Sequence, residues 1–104
     1  MHGRFARYSL SGDAHELARR AEEGMLPIFQ SQGGFKAYSL LATDGEILSF
    51  SAWDTAQDAE AANAAAANWV ADNMGGKLEL KETKVGEILL ATALGVSAKA
   101  GVTA

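Results

Sequence analysis

The feature that most constrains the fold is residues 34–53, a stretch with the composition of a β-hairpin. Two runs of strand-forming residues flank the dipeptide Asp44-Gly45. Because Asp-Gly accepts the positive backbone angles of a tight turn, the pattern predicts two antiparallel strands joined by two residues. Such a turn places Leu41 opposite Leu48.

The alternation of side chains along these strands divides the hairpin into two faces. One face is predicted to carry Phe35, Ala37, Leu41, Leu48 and Phe50. The other is predicted to carry Tyr38, Leu40, Ile47 and Trp53, together with Ser49 and Ser51. Neither face is cleanly polar, so both need a cover.

A strand over residues 4–10 precedes the first predicted helix. Asp13 is a favourable N-cap, and Glu16 three residues later completes a capping-box pattern. Pro27 predicts a kink or a tighter last turn before Gly33. The residues of the expected core-facing stripe are Ala14, Leu17, Ala18, Ala21, Met25, Ile28 and Phe29.

A second helix is predicted between the caps Asp54 and Thr55 and the terminating pair Gly75-Gly76. Its mostly alanine stripe should let it lie close against a sheet. The stripe contains Ala59, Ala62, Ala66, Trp69, Val70 and Asn73. Residues 78–91 then supply a last strand or two short strands, with a bulge or bend expected at Gly86.

The element order is strand, helix, strand, strand, helix, strand, which predicts an α+β, ferredoxin-like fold. One antiparallel sheet should carry two helices on one face. We assign residues 1–94 to this single domain. Residues 95–104 lack a pattern and are expected to form a flexible tail or an arm that orders against a partner.

Two helices cover only one face of the hairpin, so the second apolar face needs another cover. In a chain of 104 residues without further elements, the simplest cover is a second copy of the chain. We therefore expect a homodimer in which two sheets close a barrel. Which of the two faces lines the barrel stays open.

Composition excludes several classes of function. A net charge of −4 and a pI near 5.0 argue against nucleic acid or an anionic membrane as partner. The chain has no cysteine, which excludes thiolate metal sites and cysteine nucleophiles. The absence of a signal-peptide pattern or a long apolar run predicts a cytoplasmic protein.

Three segments carry a resemblance to a known family: residues 34–38 (Gly-Phe-Lys-Ala-Tyr), residues 50–55 (Phe-Ser-Ala-Trp-Asp-Thr), and Asn63 followed by Trp69-Val70. With the element order, they resemble the antibiotic biosynthesis monooxygenase-like group of the dimeric α+β barrel superfamily, over about residues 4–92. The resemblance implies a homodimer and a pocket between sheet and helices. It also implies oxygenation of small aromatic or polyketide-like molecules without metal or flavin.

Other members of that group degrade haem, with a tryptophan and a histidine on the second helix. Counting from Trp53, the corresponding positions hold Ala62 and Asp72. Neither residue serves that chemistry, so we expect no haem degradation and no cofactor.

Residue type and position select the candidate ligand-pocket residues, and each also has a structural interpretation. Aromatic side chains fill cores, and strand serines bond within the sheet. The candidates are Tyr38, Ser49, Ser51, Trp53, Asn63 and Trp69. His15 falls outside the apolar stripe, so no metal site is predicted, and no histidine is placed to activate a serine.

Two hypotheses follow. The first is a non-catalytic dimeric barrel that binds a small apolar or aromatic molecule. The second is a cofactor-independent monooxygenase in which Asn63, Tyr38 or Trp53 donates hydrogen bonds to a substrate carbanion that reacts with oxygen itself. The catalytic residues stay unassigned, and a cavity with converging polar groups would favour the second hypothesis.

Overall fold

A computed structural model describes residues 1–99 as a four-stranded antiparallel sheet with the helices packed on one face. The strands are β1 (His2–Leu10), β2 (Phe35–Thr43), β3 (Glu46–Trp53) and β4 (Leu78–Glu87). Their order across the sheet is β2-β3-β1-β4. The predicted ferredoxin-like fold class is confirmed.

The first helix consists of three segments: α1 (Ala14–Arg20), a π-helical turn (Ala21–Met25) and α2 (Leu26–Ser31). Asp13 caps it as predicted, by accepting a hydrogen bond from the backbone of His15, whereas the Glu16 carboxylate accepts from Arg19 instead of completing the capping box. The adjustment near Pro27 is a wider turn rather than a tighter one. In it the Leu26 amide donates to the Ala21 carbonyl, five residues back.

This π turn corrects the predicted buried stripe. Because the wide turn uses more than four residues per revolution, it keeps positions four apart on one side of the helix. The buried residues are therefore Leu17, Ala21, Met25 and Phe29. Ala18 and Ile28, both predicted to pack inward, are exposed.

The second helix, α3 (Ala56–Asn73), begins at the cap Thr55 and ends before Gly75-Gly76, as predicted. Its buried residues are Ala59, Ala62, Ala66 and Trp69. The small side chains bring α3 close to the sheet. Asn73, placed on the buried stripe by the sequence, is exposed and donates its side-chain amide to the carbonyl of Trp69.

The hairpin has the predicted register, with Leu41 opposite Leu48 and a turn at Asp44-Gly45. The prediction for Phe35 is wrong, because its side chain lies on the opposite face of the hairpin. The register shifts between Phe35 and Ala37, so Phe35 pairs with Trp53 and shares its helix-facing side. An inserted strand residue reverses the alternation for everything before it.

Gly45 supports a direct test of the hairpin turn. Its φ is +70° and a Cβ there would meet no atom within 4 Å, so a side chain adds backbone strain without a clash. We expect Gly45→Val to lower the free energy of unfolding by about 1–2 kcal/mol. Gly33 also has open space and lacks a positive φ, so Gly33→Val is the matched control. Equal urea midpoints for the two variants would refute the turn assignment.

The bulge or bend predicted at Gly86 in β4 lies elsewhere in the strand. The register against β1 shifts next to Lys81, between the pairs Arg7–Glu82 and Tyr8–Leu80, whereas Gly86 pairs regularly with Gly3. After β4 the chain forms a short 3₁₀ helix (Thr92–Leu94), flanked by a bridge between Ala91 and Val96. The last residues of the predicted tail, 100–104, lie outside the described part.

The helices leave the opposite face of the sheet uncovered, and within residues 1–99 only the segment after β4 reaches it, where Ile88 lies beside Gly3 and Phe50. Leu41 is 59% exposed and Phe50 is 39% exposed on it, beside the partly buried Phe5 and Leu48. We call this surface the open face. None of the helices in the described range has the length and apolar character needed to cross a membrane.

Candidate functional site

An aromatic cluster closes one end of the helix-facing side of the sheet. The ring of Phe29 meets Trp53 at 5.3 Å and Tyr38 at 5.0 Å, both edge to face, and Phe35 meets Trp53 at 5.4 Å. The indole of Trp53 is fully buried, and its Nε1 donates to the hydroxyl of Ser51 at 2.8 Å. Trp53 and Ser51 thus satisfy each other's polar groups inside the core.

Tyr38, Ser49 and Trp69 line a small cavity between the sheet and the helices. Its volume is about 20 Å³, which is room for about one water molecule. Helix packing makes this interior tight. A Cβ on Gly24, in the π turn, would lie 2.6 Å from Nε1 of Trp69, so the indole rests directly on the helix backbone.

The phenol of Tyr38 is held in its neutral form. Burial raises the pKa of Tyr38 to about 12, and the nearby Tyr8 adds to this effect. Arg4 and the hydroxyl of Ser49 oppose the increase without cancelling it. At neutral pH the phenol is therefore a hydrogen-bond donor rather than a base.

A larger space opens between α3 and β4, with a volume of about 510 Å³. We call it the α3–β4 cleft. Most of its wall is small or apolar, and its polar groups converge from β1, α3 and β4. The lining consists of Arg4, Tyr8, Asn63, Ala64, Ala67, Val70, Ala71, Gly75, Leu78, Leu80 and Thr83.

Arg4, Tyr8 and Asn63 form one hydrogen-bonded group at the cleft. Nε of Arg4 donates to Oδ1 of Asn63, and Nη2 donates to the hydroxyl of Tyr8 at 3.2 Å. The alternation of β1 directs Arg4 and Tyr8 to the same side, four residues apart, and α3 brings Asn63 over them. The guanidinium thus sits between a neutral phenol and a neutral amide.

Arg4 is only 1% exposed, and it forms no ion pair with any carboxylate in residues 1–99. The closest link to a carboxylate is indirect, because Nδ2 of Asn63 donates to Glu60 at 3.4 Å. The opposite face of β1 shows the usual arrangement, with Arg7 paired to Glu46 and Glu82. A buried cation with neutral partners is the unusual electrostatic feature of this chain.

The sequence-derived candidates therefore occupy different places. Asn63 lines the α3–β4 cleft; Tyr38, Ser49 and Trp69 line the small cavity; and Trp53 and Ser51 bond to each other in the core. Arg4 lines both spaces, and sequence reasoning missed it. The available signal was the alternation of Arg4, Ala6 and Tyr8 in β1, which places an arginine on the buried side once Ala6 is assigned inward.

Within the described residues, no three histidine or acidic side chains are grouped so that they could hold a metal ion. What the cleft offers chemically is an apolar wall, one cation and hydrogen-bond donors. This combination suits a planar organic molecule with a polar end.

Solved structures share this architecture. SnoaB from Streptomyces nogalater, a cofactor-independent oxygenase, matches with a TM-score of 0.68 at 16% identity, over 88% of this chain and 95% of that one. ActVA-Orf6 from Streptomyces coelicolor, a monooxygenase solved with nanaomycin D, matches with a TM-score of 0.59 at 16% identity, over 86% and 92%. A Chloroflexus aurantiacus protein assigned provisionally to the antibiotic biosynthesis monooxygenases has a TM-score of 0.65 at 16% identity, over 90% and 98%.

The chain has the fold of the antibiotic biosynthesis monooxygenase group. The resemblance found in the sequence motifs is thereby confirmed at the level of the fold. No protein-family model and no curated protein matches the sequence. Identities of 16% establish a shared fold, so the function has to be argued from the site.

Proposed function

We propose that the protein binds a small aromatic molecule in the α3–β4 cleft. The observation that carries this proposal is the cleft itself, which combines a volume of about 510 Å³ with largely apolar walls and four polar side chains, those of Arg4, Tyr8, Asn63 and Thr83. Binding sites for small molecules typically have about 300–1,000 Å³ and this mixture of lining groups. The small cavity beneath Trp69, at about 20 Å³, is filled by packing and takes no such ligand.

Structural relatives support a ligand of this kind. ActVA-Orf6 was solved in complex with nanaomycin D, so this architecture accommodates an organic ligand. The alanines of α3 that line the cleft, Ala64, Ala67 and Ala71, leave a flat wall on which a planar ring system can lie.

Cofactor-independent oxygenation is the second candidate function. The observation that favours it is the set of donors in the cleft, Tyr8, Asn63 and Arg4, which would stabilise a deprotonated substrate. In such a reaction a ring CH₂ flanked by aromatic rings becomes C=O. One oxygen atom of O₂ enters the product, and the other leaves with the two hydrogens as water. The substrate supplies all the electrons, so no external reductant is needed.

We also propose that the protein is a homodimer whose interface is the open face. Residues 1–94 form the single domain of each subunit. The support is the exposure of Leu41 and Phe50 on a sheet that has helices on its other side only. Apolar sheet surfaces of this kind commonly mark protein interfaces. The cleft lies on the helix side of the sheet, so a dimer through the open face leaves it available.

A pair of matched variants tests the binding site. Ala67 lines the cleft and Ala61 does not, and both are exposed positions on α3. We expect Ala67→Phe to weaken binding of naphthalene and anthrone derivatives at least tenfold by filling the cleft, and Ala61→Phe to leave their affinity unchanged. Isothermal titration calorimetry measures both, and oxygen uptake with anthrones tests the second candidate. Equal affinities in the two variants would place the ligand elsewhere, and no binding by the wild type would refute the proposed function.

A further inference from the structure

We infer that the α3–β4 cleft selects aromatic acids, with the ligand carboxylate held by Arg4. This inference deepens the proposed function and rests on it. Its starting point is the position of the guanidinium, which is 99% removed from solvent and yet lines the cleft.

Burial of a cation is unfavourable unless an anion or strong acceptors replace the lost water. Arg4 has two neutral partners, Asn63 and Tyr8, and no carboxylate partner in the described chain. The lining of the cleft also contains no aspartate or glutamate. An anionic ligand would therefore supply the charge that the protein itself does not.

The geometry favours a carboxylate over other anions. Nε and Nη2 of Arg4 already donate to Asn63 and Tyr8, whereas Nη1 donates to no acceptor among residues 1–99. A guanidinium offers adjacent donors at a spacing that matches two carboxylate oxygens, so Nη1 and Nη2 can receive one bidentate group. The apolar wall of Val70, Leu78 and Leu80 then faces the ring to which that carboxylate is attached.

The electrostatics outside the cleft do not produce such a preference. The chain has a net charge of −4, which repels anions at long range. Any selectivity for an acid over its neutral analogue must therefore arise from a local cation, and Arg4 is the arginine that lines the cleft.

The test compares 2-naphthoate with 2-naphthamide, two ligands of the same shape of which only the first is charged. We expect the wild-type protein to bind the acid at least tenfold more tightly, because a charge-assisted bidentate pair is stronger than a neutral one. Calorimetry at neutral pH and moderate salt gives the ratio of the two dissociation constants.

Asn63→Asp provides a variant that keeps Arg4 and the shape of the site. The new carboxylate accepts from Nε of Arg4 where the amide oxygen does now, and so supplies an internal counter-ion. We expect the preference for the acid to fall below twofold, and thermal unfolding to move to a higher temperature. Arg19→Gln removes a charge from the exposed side of the first helix and should keep the tenfold ratio.

The outcomes separate the inference from the function on which it rests. Equal affinities for acid and amide in the wild type would overturn the inference and leave the aromatic binding site standing. If Asn63→Asp keeps the tenfold preference for the acid over the amide, Arg4 is not the source of that preference. Failure of both compounds to bind would overturn the inference together with the proposed function.

Discussion

Replacing Trp53 with alanine should lower the free energy of unfolding by about 3–5 kcal/mol. The indole is fully buried, lies edge to face with Phe29 and Phe35, and uses its one polar atom to bond Ser51. Truncation removes these contacts, leaves a cavity, and takes away the donor to a buried hydroxyl. Urea unfolding followed by far-ultraviolet circular dichroism measures the change.

Trp53→Phe is the matched control, because it keeps an aromatic ring against Phe29 and loses only the larger ring and the bond to Ser51. Trp53→Phe should lower the free energy of unfolding by less than half as much as Trp53→Ala. If Trp53→Ala unfolds with the wild-type midpoint while ligand affinity falls, the residue belongs to a binding site and its assignment to the packed core is wrong.

A charge at Phe50 should abolish the folded protein. Phe50 lies opposite Phe5 on the open face and is 39% exposed in the single chain, so a second copy would bury it. Interfaces of obligate dimers commonly exceed about 2,000 Å² in total and resemble a core cut in half. In the proposed obligate dimer, folding and association are coupled. Phe50→Asp should therefore give an unfolded chain rather than a soluble monomer.

The matched control is Ala61→Asp, which places the same charge on the exposed side of α3. This variant should stay folded and keep the size of the wild type in sedimentation equilibrium. The wild-type unfolding midpoint should also rise with protein concentration. A folded Phe50→Asp monomer, together with a concentration-independent wild-type midpoint, would exclude an obligate dimer through the open face.

Local sequence signals were sufficient for the element order, because they are short-range. Asp13 and Thr55 act as caps, Asp44-Gly45 forms the turn, and the alanine stripe of α3 is buried as expected. Each of these features depends on residues within a few positions of one another. A strict two-residue turn then fixes the register of Leu41 against Leu48 without further information.

The errors at Ile28 and Phe35 have a common cause, which is the insertion of one residue into a regular repeat. A π turn keeps Phe29 inside and leaves Ile28 outside, and a bulge after Phe35 reverses its face. Neither the π turn nor the bulge has a sequence signature that distinguishes it from a regular helix or strand. Both are decided by tertiary packing, around Trp69 in one case and Trp53 in the other.

The site was less predictable than the fold because its parts are far apart in the chain. Arg4 and Asn63 are separated by 59 positions, and their contact depends on how α3 crosses β1. Arginine is also among the residues that are rarely buried without an ionic partner, which argues against placing Arg4 inside from sequence alone. Residue type and position on the second helix select Asn63 as a candidate, but they do not identify Arg4 as its partner.

The measurement that tests the central claim most directly is the mapping of backbone amide shifts of the ¹⁵N-labelled protein during titration with 2-naphthoate. We expect the largest shifts at Arg4, Asn63, Ala67 and Leu80, which surround the α3–β4 cleft, and small shifts at Leu41 and Phe50 on the open face. Shifts confined to the open face, or a spectrum unchanged at millimolar ligand, would contradict a binding site built on Arg4 and Asn63.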